Sequence, residues 1–272
     1  MGVCHGNRYS NSRKDRESFL EAIMTDATIM YLDIETAPSL GWVWGKWETN
    51  VIDFKSDWYV LSYAYKFAGQ DKVTSVGLDD FAAYKRDKED DKQLIKSLWK
   101  LIDKADIIIA HNGDGFDLPK INTRFLTHGL KPPTPYKTVD TLKIARKVFK
   151  FDSNKLDDLG RYLGVGRKLP HTGFHLWKGC MSGDPAAWKL MKEYNGHDVE
   201  LLEDVYEIMR PWHTGHPNVN KFSANLACPK CGNTNVQRRG FSYTLLSRKQ
   251  RFQCTGANSC GAWYEGSAKK AK

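Results

Sequence analysis

Met30, Leu32 and Ile34 alternate with Tyr31, Asp33 and Glu35 within residues 27–36. This two-residue period predicts a β-strand whose apolar side chains leave by one face and whose acidic pair leaves by the other. A second strand is expected over residues 58–67 and a third near 72–78. The period then lengthens. Leu94, Ile95, Leu98, Leu101 and Ile102 mark one face of a helix within residues 90–106, which leads into the apolar run Ile107-Ile-Ile-Ala110, a pattern typical of a buried strand. Beyond it the pattern is helical over 118–128, 139–149, a segment opening at Ser153, and 184–209. Strands come first, a helix returns to another strand, and a helical half follows, which predicts an α/β fold with a mixed sheet flanked by helices.

Residues 1–25 carry no periodic apolar pattern and are expected to form a polar arm, while the Pro- and His-rich stretch 211–217 reads as punctuation. The expected division is an arm over 1–25, an α/β domain over 26–212, a linker over 213–226, a small cysteine-bearing domain over 227–265 and a basic tail over 266–272. No apolar run reaches the roughly 18–20 residues needed to span a bilayer, and the start lacks the apolar stretch of a signal peptide. A cytoplasmic protein without membrane contact is expected. A myristoylation reading of Gly2 fails because Gly6 stands where Ser or Thr is required.

Charge separates the two ends. From His213 onward ten Lys and Arg residues face one acid, Glu265, and this accounts for the whole formal excess of +9. The first 212 residues are therefore electrically balanced, and the tail has the character of a handle for a polyanion such as nucleic acid, or more plainly of a solubilising tail.

Three short patterns carry candidate chemistry. Asp33 and Glu35, two apart on a strand, repel each other unless a cation neutralises them, and oxygen ligands of this kind suit Mg²⁺ or Mn²⁺. Taken alone, the triplet also describes a strand end emerging into solvent. His111-Asn-Gly-Asp-Gly-Phe-Asp117 follows the apolar run and precedes a helix, so Asp117 is expected at the helix's first turn; an ordinary Asn-Gly turn reads the same way. Tyr194 and Asp198 lie four apart and share a helix face, and Gly196 between them suggests a close approach to the backbone.

In order and spacing, Asp33/Glu35, Asn112/Phe116/Asp117 and Tyr194/Asp198 resemble the three motifs of the DEDD exonuclease superfamily, Tyr subtype. With Thr36, Val139-Asp-Thr-Leu, Ser153-Asn-Lys-Leu and Glu193-Tyr-Asn, the likeness extends over residues 27–212 to the exonuclease domains of family B DNA polymerases and their stand-alone relatives. The resemblance implies a ribonuclease H-like fold and metal-dependent 3′→5′ hydrolysis, with DNA and single-stranded ends the favoured substrate. It places two catalytic Mg²⁺ or Mn²⁺ ions between Asp33, Glu35, Asp117 and Asp198, uses Tyr194 to aim the attacking water, and assigns Thr36 and Asn112 to the terminal nucleotide. Glu193 stands where the His subtype would carry its histidine; His197 reads as structural or surface, and Asp140 as a helix cap. A separate DNA polymerase or replication protein is an expected partner. The alternative is a catalytically weak or inactive nucleic-acid-binding module.

Four of the six cysteines fall in the basic tail as Cys228-x2-Cys231 and Cys254-x5-Cys260, with Gly232 and Gly261 following each pair. This spacing predicts a zinc ribbon with a structural Zn²⁺, although the second interval is longer than the usual knuckle. Phe241, Tyr243 and Phe252 are interleaved with Arg238, Arg239, Arg248, Lys249 and Arg251, a mixture suited to stacking on bases and neutralising phosphates, or to forming the ribbon's minimal core. Cys4, His5, Cys180, His213 and His216 read as unpaired residues in polar surroundings.

Overall fold

The structure, a computed structural model, describes residues 27–48, 50–222 and 227–270. The expected arm and the pair Cys4 and His5 lie outside them. Five strands form the main sheet: β1 (Ile29–Thr36), β4 (Val60–Phe67), β5 (Thr74–Gly77), β6 (Ile107–Ala110) and β7 (Lys137–Asp140). Their order is β5-β4-β1-β6-β7, antiparallel on the β4–β5 side of β1 and parallel on the β6–β7 side. Parallel pairing brings the carboxyl ends of β1, β6 and β7 to one edge, where such sheets gather their chemistry.

Each face of β1 enters a separate core, as its alternation requires. Met30, Leu32 and Ile34 pack with Leu94, Ile95, Leu98 and Ile102 of α1 (Lys92–Ile102) and with Leu118, Ile121 and Phe125 of α2 (Asp117–Thr127). Tyr31 faces the other way, into a cluster with Ile144 and Ala145 of α3 (Thr141–Val148), Leu156 and Leu159 of α4 (Leu156–Leu163), and Val199, Leu202 and Val205 of α6 (Pro185–Met209). Burying apolar side chains on both faces fixes the register of the acidic pair, because a slip of one residue would turn every side chain over.

Three elements depart from the expected pattern. A hairpin of β2 (Leu40–Trp42) and β3 (Asp53–Ser56) follows β1, and α5 (Phe174–Ser182) precedes α6; neither carries a periodic apolar signal. Val139 and Asp140, expected at the start of a helix, instead end β7 opposite Ile109 and Ala110. The helix begins at Thr141 because the Asp140 side chain accepts from the Leu142 and Lys143 amides, an N-cap that leaves Asp140 itself outside the helix. Cys180, read as lying in polar surroundings, is fully buried in the first core, and His216 packs against the Tyr206 ring and hydrogen-bonds its hydroxyl. Within residues 213–226, Val219 is buried in the second core and its amide donates to the Pro229 carbonyl at 2.9 Å.

The basic end folds as an antiparallel sheet, β8 (Val236–Tyr243), β9 (Ser247–Cys254) and β10 (Trp263–Lys270), in the order β10-β9-β8. Cys228, Cys231 and Cys254 form its small buried cluster with Ala262, and Phe252 stacks on Tyr264 with ring centroids 5.3 Å apart. Phe252 is therefore a core residue of this unit, while Tyr243 stays exposed on β8. Among the described residues no helix is long and apolar enough to cross a membrane.

Candidate active site

Asp33 and Glu35 leave β1 on the face that α6 covers, and α6 presents Asp198 to them. One carboxylate oxygen from each of Asp33, Glu35 and Asp198 lies within 4.8 Å of the others. Asp117, the first residue of α2, is not one of that trio; its Oδ1 accepts from the Ile34 amide at 3.1 Å, which anchors it to β1 beside Asp33. Its charge acts on Asp33 all the same.

Such crowding opposes ionisation. Burial and then the charge of Asp117 hold the Asp33 carboxyl well above the usual range; burial pushes Glu35 up to about 8 and Asp117 to about 7, and it raises Asp198 as well. The Ile34 amide and a hydrogen bond from Trp177 to Glu35 work in the opposite direction. Asp198 is wholly buried, yet its Oδ1 has no hydrogen-bond partner among the described residues. A buried carboxylate oxygen without a donor is costly, and a divalent ion is the kind of group that satisfies it. The all-oxygen donor set fits Mg²⁺ or Mn²⁺.

Lys168, which the sequence patterns did not single out, enters this site from the loop between α4 and α5. Its Nζ donates to Asp198 Oδ2 at 2.6 Å and to the Tyr194 hydroxyl at 3.0 Å. Burial opposes the charge on Lys168, but the charges and hydrogen bonds of Asp198 and Tyr194 together outweigh it and keep the ammonium protonated. Tyr194 is nearly buried, and burial together with the Asp198 charge keeps its phenol protonated. Asn195, part of the Glu193-Tyr-Asn stretch, carries no role in the sequence patterns. Its Nδ2 donates to Asp33 Oδ2 at 2.6 Å while its Oδ1 accepts from Ser62 at 3.1 Å, so one buried amide orients an acid on β1 through a hydroxyl on β4.

The loop between β6 and α2 holds its shape through Asp140, which accepts from the Asn112 amide at 2.9 Å and the Asp114 amide at 3.4 Å. Asp140 is thus the cap expected of it and also a brace for the loop. Asn112 adopts a left-handed backbone, φ 64°, and a Cβ on Gly113 would stand 2.4 Å from that of Ala110. At Gly196 a Cβ would stand 2.6 Å from Ser75 Oγ, the close approach its place in the helix implied. His197 donates to the Arg167 carbonyl at 2.7 Å, a structural contact.

The four cysteines converge, with all four sulfurs within 4.8 Å of one another. Sulfurs about 2.3 Å from a tetrahedral zinc ion stand roughly 3.8 Å apart. Here the Cys228–Cys260 and Cys231–Cys254 pairs are each separated by 3.7 Å, too far for a disulfide and well matched to Zn²⁺. The longer second interval is accommodated through Asn233, whose side chain donates to the Asn258 carbonyl at 3.0 Å.

The RNase_H_2 family model, described as RNase H superfamily, matches residues 47–210, well over half of the chain. The chain belongs to the RNase H superfamily. This membership, with the converging carboxylates, supports a nuclease-type function. The matched segment contains Asp117, Tyr194 and Asp198 and begins after Asp33 and Glu35. Among solved structures, a family B DNA polymerase from the hyperthermophilic archaeon Pyrobaculum calidifontis is similar at 15% identity and a TM-score of 0.49, over 81% of this RNase H superfamily chain and 31% of the polymerase chain. The chain thus spans about a third of that polymerase. Among curated proteins no sequence match is found.

Proposed function

We propose that this protein is a metal-dependent 3′→5′ exonuclease of the Tyr subtype that trims single-stranded DNA ends. The observation that carries this reading is the convergence of Asp33, Glu35 and Asp198 around a buried, unpartnered carboxylate oxygen, one helical turn from Tyr194. Asp33, Glu35, Asp117 and Asp198 would hold two Mg²⁺ or Mn²⁺ ions. When bound, such ions supply Lewis-acid activation of water and of the scissile phosphate.

The chain's own groups do the positioning. Lys168 donates to the Tyr194 oxygen and Tyr194 hydrogen-bonds Asp198, which together fix the phenol where it would aim a water at the terminal phosphodiester. Asn195 keeps Asp33 in register. In this reading Thr36 and Asn112 line the terminal nucleotide, residues 26–212 form the exonuclease domain, and residues 227–265 form a Zn²⁺ ribbon whose basic face engages the strand. The expected cytosolic setting and a separate DNA polymerase as partner rest on the sequence.

A second reading is a catalytically weak binding module. The ion pair between Lys168 and Asp198 favours it, since an internal ammonium already neutralises part of the site. Digestion of matched 5′-labelled DNA and RNA oligonucleotides with Mg²⁺ or Mn²⁺ separates the two. A ladder shortening from the 3′ end, lost in Asp198→Asn, is expected; retention of the intact strands under every metal condition would overturn the exonuclease reading.

A further inference from the structure

The β2–β3 hairpin carries several exposed aromatic side chains. Trp42, Trp44, Trp47 and Phe54 are all exposed, Trp44 and Trp47 at 87% each. A cluster of this kind marks a contact surface, because isolated exposed rings are ordinary but a concentration of them is not. Its position narrows the occupant. β1 ends at Thr36, and the next amide, Ala37, donates to the Tyr59 carbonyl at 2.9 Å. Both feet of the hairpin are thereby pinned beside the strand that carries Asp33 and Glu35.

Cations bracket the rings. At the returning foot the Lys120 ammonium lies 3.7 Å from the Trp58 ring centroid and 5.3 Å from that of Phe116, the neighbour of Asp117. Near the tip Lys46 lies 5.1 Å from the Trp47 centroid. Flat π faces with an ammonium at each end complement a strand in which bases and phosphates alternate. We propose that the β2–β3 hairpin is a stacking platform for unpaired bases upstream of a 3′ end seated among the carboxylates. The proposal rests on the exonuclease reading for its orientation. Because Lys46 and Lys55 are offset by Glu48, Asp53 and Asp57 on the same segment, stacking rather than charge supplies the affinity, and salt should affect it little.

The test uses the full chain and the variants Trp44→Ala/Trp47→Ala and Trp44→Phe/Trp47→Phe, whose exposed positions leave the core untouched. Binding of a fluorescent oligothymidylate is measured in Ca²⁺ at low and high salt. Turnover is measured on that oligonucleotide and on the p-nitrophenyl ester of thymidine 5′-monophosphate, which is too short to reach the hairpin. The Ala pair should raise the oligonucleotide Kd and KM by about tenfold to a hundredfold, with kcat, salt slope and ester hydrolysis unchanged, and the Phe pair should restore binding. An unchanged Kd and KM in an active Ala variant overturns the platform and makes the patch a protein-docking surface. If no form hydrolyses either substrate but the Ala pair still weakens binding, the platform stands and only the exonuclease reading falls. Failure of the unmodified chain to bind the oligonucleotide at all overturns both.

Discussion

Asp33 and Glu35 come from β1, Asp117 from the start of α2 and Asp198 from α6, whereas all four clustered thiols come from one local stretch between Cys228 and Cys260. The carboxylates stand on two large apolar clusters that exist without them. The thiols are most of their own core, with Ala262 as their buried apolar companion and Val236 and Tyr264 packed against it. In the first site a bound cation would relieve repulsion inside a fold already secured. In the second it would replace the core that so small a unit cannot assemble.

The largest expected effect tests this contrast directly. Removing zinc, or Cys228→Ser with Cys231→Ser, should unfold β8–β10, since structural zinc contributes on the order of 10 kcal/mol in units of this size. Amide dispersion from residues 227–265 should collapse while resonances of the main sheet persist; a persistent ribbon spectrum after zinc removal would show that the thiols are not its core.

Loss of a carboxylate should act on chemistry and leave the fold. Asp198→Ala is expected to lower turnover on the order of a thousandfold, the scale of several kcal/mol of lost charge stabilisation, without melting the main sheet. Tyr194→Phe should slow turnover by roughly tenfold to a hundredfold while the rise in Tm on adding Mn²⁺ is kept. Comparable losses of Mn²⁺ stabilisation in both variants would contradict the division of roles between acid and phenol.

The pH dependence of the metal-free protein sharpens the comparison further. Glu35 and Asp117 hold their protons more tightly folded than unfolded, with values of about 8 and about 7 against ordinary values of 4.5 and 3.8. Their contribution to stability is therefore complete below about 4 and is lost as pH rises towards about 8. Without divalent ions the Tm of the main domain should fall by on the order of 5 °C across that window, and Mn²⁺ or Asp33→Asn should flatten the fall. Melts that are as steep with Mn²⁺ as without would show that the acids do not share an ion.

The smallest expected effect concerns positioning. Asn195→Ala frees Asp33 and leaves the Ser62 hydroxyl without its acceptor, so it should cost about 1–3 kcal/mol of stability and about tenfold in metal affinity. Isothermal titration with Mn²⁺ checks this against Asn195→Asp, which keeps an acceptor for Ser62 but places a further negative charge against Asp33.

Much of this arrangement is legible in local pattern. The alternation in residues 27–36 puts Asp33 and Glu35 on one face, the four-residue step puts Tyr194 and Asp198 on one side of α6, and Gly196 announces the approach of Ser75. These relations follow from the two backbone periods and from the absence of a side chain, which need no knowledge of distant residues. The β2–β3 hairpin and α5 escape the same reading because the hairpin's apolar residues face outwards and α5 has no regular apolar stripe.

The sequence by itself determines the types of the candidate ligands, their order along the chain and the face on which each acid stands. Tertiary structure alone decides that Lys168 reaches Asp198 and Tyr194, that Asn195 and Trp177 hold Asp33 and Glu35, and that Asp117 stands apart from the closest trio. The physical reason is that Lys168 comes from a loop between Gly164 and Gly173, where backbone geometry has no period. The separations among the carboxylates are fixed by how α6 packs across β1, β4 and β5, a sum of many apolar contacts that no short stretch of chain encodes.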